Sequence, residues 1–140
     1  MAVSSEIQST FDFLFDLAQK ALSEGRSFAP FATSELKNGE RTYSMTDLNV
    51  ASSTPQDHMI ALIKTLQGEA SAGRLKSAGL VFDTVAPFDD GKTSDALCIH
   101  AEAAGEAVQI FVPYERGRMP APKYSEPVIQ PVAARIFIAH

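Results

Sequence analysis

From Leu75 to Tyr114 three strand-like segments follow one another with only short turns between them. Leu75 to Ala86 sets Ala78, Leu80 and Phe82 on one face. Asp89-Asp90-Gly91 then turns the chain, Asp95 to Ala103 returns, Gly105 turns again, and Ala107 to Tyr114 completes a meander. Connections this short join antiparallel neighbours, because a parallel pair needs a crossover of about a dozen residues or more. A further hairpin lies upstream. Phe28 to Leu36 reads as a strand, Asn38-Gly39 as its turn, and Arg41 to Leu48 as the returning strand. Asn-Gly is a strong hairpin signal because both residues accept positive φ. Pro30 lacks an amide donor, which assigns it to a sheet edge or to the first residues of its strand.

Two helices accompany these strands. Ile7, Phe11, Leu14, Phe15, Ala18 and Leu22 recur at three- and four-residue steps and gather on one face. Ser5 and Gln8 have capping-box spacing, and Gly25 is a natural stop. Phe13 and Leu17 fall off this stripe, so either the stripe is wide or the helix meets a second surface. The second helix starts at Thr54-Pro55, with Asp57 at the acid-preferring third position. Its stripe is Met59, Ile63, Leu66 and Ala70, with Ile60 and Leu62 beside it and Gly73 at its end. Arg116 to Glu126 reads as a loop. Ala133 to Ile138 is a candidate last strand, restrained by Pro127 and Pro131.

The order is therefore α-β-β-α-β-β-β with a possible final β. It implies an α+β domain spanning residues 1–140, with a single mainly antiparallel sheet of five or six strands and two amphipathic helices, enough to cover one face. The order is similar to profilin-like and roadblock-like layouts, a likeness of architecture that carries no function.

Charge and cysteine usage narrow the partners. The net charge is −5, with pI near 5.1, the wrong sign for a generalised nucleic-acid or anionic-membrane surface. Nucleic acid and membrane are therefore not expected as partners. Cys98 is the only cysteine, so no intrachain disulfide forms, and a reducing, cytoplasmic compartment is expected. Met1 to Glu6 carries no secretory signal pattern.

Several strings resemble catalytic signatures. His100-Ala101-Glu102 has the His-x-Glu half of the zinc deaminase motif, but the Pro-Cys-x-x-Cys half is missing. Cys98, His100 and Glu102 share one strand face, where side chains two apart converge poorly on one ion, so no metal is expected. Gly91-Lys92-Thr93 ends like a phosphate-binding loop but sits between two strands, with Ala86 where the first glycine belongs. Asp89, Asp90 and Asp95 lack calcium-loop spacing and suit a turn. No nucleophile-elbow string is present. Arg116-Gly117-Arg118 with Lys123 is the one local basic run. It lies near Tyr114 and Tyr124, a combination that can hold a phosphate or a stacked base.

Ser27-Phe28-Ala29-Pro30-Phe31-Ala32, Ala78 to Asp83, and Asp95-Ala96 followed by Ala107 to Tyr114 resemble a group of small bacterial proteins without an assigned activity. The likeness implies a bacterial cytoplasmic protein and transfers no functional residues. Two functional expectations follow. One is a non-enzymatic interaction or regulatory module without a cofactor. The other is a small-ligand-binding or catalytic domain using Tyr114, Arg116, Arg118 and Lys123. A homodimer is expected from the apolar run Ala133 to Ile138 and from Phe13 and Leu17.

Overall fold

A computed structural model describes residues 3–25, 28–45, 53–87, 91, 93–116 and 121–138. Helix α1 spans Ser5–Ser23 and strands β1 and β2 span Phe31–Leu36 and Arg41–Met45. Helix α2 spans Pro55–Ser71. Strands β3, β4 and β5 span Leu75–Pro87, Thr93–Ala103 and Glu106–Glu115, and the short β6 and β7 span Lys123–Tyr124 and Val128–Pro131. The sheet runs β2-β1-β3-β4-β5-β6, with β7 also pairing β5. Every pairing among the described residues is antiparallel. This is the α+β architecture read from the turns. The strand count exceeds the expected one because β6 and β7 divide the outer edge of β5 between them.

Local signals set most element ends. Thr54 and Asp57 form the full capping box, each side chain accepting the other's backbone N–H at 3.2 and 2.9 Å. At α1 the cap is Ser4 rather than Ser5. Its hydroxyl accepts from the Ile7 amide at 3.3 Å, while Gln8 turns away to donate to Asp12. Gly39 and Gly105 adopt φ of 91° and 77° in two of the hairpin turns, a region costly to any residue with a Cβ. Residues 46–48, expected in the second strand, lie outside the described residues. Pro30 sits immediately before β1, which is an interior strand and not an edge.

The two helices lie on opposite faces of the sheet, which corrects the expectation that they share one. Ile7, Phe11, Leu14, Ala18 and Leu22 of α1 pack with Val81, Leu97, Ile99, Ile110 and Val112. Leu62 and Leu66 of α2 pack with Ala32, Ala78, Leu80 and Ile136 on the other side. Ala96 through Glu102 are consequently buried without interruption. A run of that kind, with no polar alternation, marks a strand covered on both faces. The α2 stripe is also rotated from its expected phase. His58, Leu62 and Leu66 are the buried residues, and Ile60 is exposed.

Helix α1 can approach β3 closely because Gly79 has no side chain. A Cβ there would lie 2.6 Å from the His100 carbonyl and 2.9 Å from Thr10 Cγ2. The closeness lets the Thr10 and Ser77 hydroxyls bond at 2.9 Å. Phe13, off the α1 stripe, lies under the Arg41 guanidinium, 5.3 Å from ring centroid to charge. Leu17 packs at the margin of the α1 core. Arg41 also donates to Ser9, Thr10, Thr33 and Glu35, joining α1 to β1 and β2.

The C-terminal run is not a strand between Ala133 and Ile138. The last strand is β7, one segment earlier, where Val128 to Pro131 pairs with Phe111 to Val108. An edge position tolerates Pro131 because its missing amide would face outward. The run after it folds over the α2 face, with Ile136 buried and Phe137 partly so. Of the apolar features that suggested self-association, Phe13, Leu17, Ile136 and Phe137 have partners within the chain, and Ile138 is exposed.

Candidate functional site

β1 pairs with β3 only as far as Phe31 opposite Val81, whereas the β3–β4 hairpin continues to Pro87 opposite Thr93. Phe82 and Asp83 therefore lie past the end of β1. A cleft of about 760 Å³ opens at this notch. Its walls are the last turns of α1 at Leu17 and Ala21, the segment from Phe28 to Phe31, the end of β2 at Tyr43 and Met45, and His58 in the first turn of α2. Phe28, Phe31 and Tyr43 form a continuous aromatic wall, with successive ring centroids 5.5 Å apart and planes tilted by 56° and 47°.

Asp83 brings a carboxylate to this mainly apolar cavity. Its Oδ1 accepts the Tyr114 hydroxyl at 2.7 Å. Burial pushes the Asp83 carboxyl above its usual range, and nearby Asp95 pushes the same way. The Tyr114 hydroxyl, the Thr84 amide and Arg116 act against them. The Tyr114 phenol is in turn raised, first by burial and then by Asp83.

Of the four residues singled out in the sequence, Tyr114 and Arg116 meet around Asp83, and neither lines the cleft. Tyr114 is buried, with its hydroxyl committed to Asp83. Arg116 donates to the Leu22 carbonyl at 3.4 Å, at the end of α1 where the helix dipole favours a cation. Lys123 is exposed on β6, in register with Glu115. Arg118 lies outside the described residues. Tyr124 packs edge-on against Phe15, and its buried hydroxyl has no partner among the described residues. Asp83 was missed because a lone aspartate near the end of a strand has no distinguishing local pattern.

His100 and Glu102 are on one strand face, as period-two spacing requires, but they serve the fold. Glu102 is fully buried. Its carboxylate accepts the His100 Nε2 hydrogen and the backbone N–H groups of Arg135 at 2.8 Å, Ile136 at 3.0 Å and Phe137 at 3.1 Å. Three consecutive amides cannot converge on one atom pair from a strand, where they alternate in direction. They converge only from a turn that makes an anion-binding nest. Burial alone would raise the Glu102 carboxyl, but the bonds from His100 and the three amides together hold it below its usual range. Cys98 is buried on the same face, its thiol pushed up to about 12 by burial. Among the described residues no three His, Cys, Asp or Glu side chains are placed to hold a metal ion.

Gly91 has φ of 77°, and Thr93 opens a strand rather than the helix a phosphate loop needs. Asp89, Asp90 and Lys92 lie outside the described residues. No helix among them is long and apolar enough to cross a membrane. No protein family, curated protein or solved structure matches this chain.

Proposed function

We propose that this protein is a non-enzymatic binding module of a reducing cytoplasm, and that its recognition site is the cleft between α1, β2 and the end of β3. The observation that carries the reading is a cavity of about 760 Å³ with an aromatic wall and the Asp83 carboxylate at its margin. Small-molecule sites have this size and character, with mostly apolar walls and few polar groups to fix orientation. The lone, buried Cys98 supports the compartment.

The test is a thermal-shift screen of aromatic fragments against the wild type and Ala21→Phe, which fills the cleft from its helical wall. A ligand at 100 times its dissociation constant adds about 2.7 kcal/mol, a rise of about 10 °C for a chain of this size. A fragment that stabilises the wild type and spares the variant supports the site. Equal shifts in both, or none across the library, reject it.

A further inference from the structure

The cleft offers two kinds of group that attract a positive charge. Its aromatic rings, Phe28, Phe31 and Tyr43, carry negative potential on their faces, which draws ammonium groups within about 6 Å of a ring centroid. Asp83 adds a formal negative charge at the same cavity. Among the described residues Asp83 makes no ion pair; its Oδ1 accepts the neutral Tyr114 hydroxyl, while the nearby Arg116 donates to the Leu22 carbonyl. The lysine at the cleft margin, Lys20, is largely exposed and pairs with Asp16 at 3.6 Å, one turn back along α1.

We propose that the cleft binds an organic ammonium group, held between the Asp83 carboxylate and the rings of Phe28, Phe31 and Tyr43. This rests on the reading of the cleft as the binding site. The ammonium group has two possible sources, a free amine or the lysine side chain of a partner protein.

Isothermal titration with benzyltrimethylammonium and its neutral carbon isostere, neopentylbenzene, separates charge from shape. The cation is expected to bind at least tenfold more tightly than the isostere. Asp83→Asn keeps an oxygen for the Tyr114 hydroxyl, so it preserves the local bonding while removing the charge. It should narrow the gap between the two affinities without closing it, because the aromatic faces remain. Phe28→Leu should weaken the cation more than the isostere. A capped Gly-Lys-Gly peptide assigns the source. Binding tighter than that of benzyltrimethylammonium points to a partner's side chain and weaker binding to a free amine, and both support ammonium recognition. Equal affinity for cation and isostere in the wild type overturns the charge proposal and leaves the cleft standing. Absence of binding by either probe, or binding undiminished in Ala21→Phe, overturns the cleft itself.

Discussion

Replacing Glu102 removes the acceptor for four donors at once, and the cost can be worked from their surroundings. The amide of Ile136 and the ring of His100 are buried, whereas the amides of Arg135 and Phe137 are partly open to water. In Glu102→Ala the open pair recovers solvent bonds, and the buried pair is left unsatisfied at about 1–3 kcal/mol each. The sum is about 4 kcal/mol. That is a large part of the roughly 5–15 kcal/mol available to a domain. Glu102→Gln keeps one carbonyl oxygen but turns an amide group toward amide donors, and should cost about half as much. Urea unfolding measures both, as a lowered midpoint at an unchanged slope. A loss under about 1 kcal/mol in Glu102→Ala would refute the reasoning.

The same bonds make a pH signature. The Glu102 carboxyl lies lower in the folded chain than in the unfolded one, despite its burial. The unfolded chain therefore takes up the proton first as pH falls. The contribution of Glu102 is fully present above the unfolded value, near 4.3, and is lost as pH drops from there through the folded value. The stability gap between the wild type and Glu102→Gln should be constant above about pH 5.5 and should close at lower pH. A gap that is the same at pH 7 and in acid would exclude an ionised Glu102 as the acceptor.

Gly79→Ala places a Cβ 2.6 Å from the His100 carbonyl, a backbone atom that cannot step aside, so it should destabilise by about 1–3 kcal/mol. Wild-type stability in urea would show that α1 has room to move. Self-association is retained as a proposal, with the interface moved to the outer edge of β2, which has no strand partner among the described residues and carries the exposed Tyr43 and Met45. Light scattering should give about twice 15.1 kDa, falling to the single-chain mass in Tyr43→Lys, and the single-chain mass at every wild-type concentration would reject the pair.

The features legible in the sequence share a short range. A capping box, Thr54 to Asp57, and a turn, Asn38-Gly39, are decided by atoms a few residues apart, and both occur where their residues indicate. The phase of α2 is harder, because its buried face includes His58 while the apolar Ile60 faces solvent. Apolar composition reports what a face can do without water, not which face the sheet covers. The uninterrupted burial of Ala96 to Glu102 has a trace in the sequence, since its apolar run does not alternate. Two charged or polar residues, His100 and Glu102, disguise it as a half-exposed strand. The amide partners of Glu102 lie more than thirty residues downstream, and no local pattern links a strand glutamate to the amides of Arg135, Ile136 and Phe137. Once Glu102 is buried, however, the geometry of the tail follows. A carboxylate taken from water needs several donors, a strand can aim only alternate amides at one point, and so the run Ala133 to Ile138 must turn where its composition favours extension. The cleft arises at the same level. It exists because β1 stops at Phe31 while β3 continues, a mismatch of strand lengths that neither strand's own residues express.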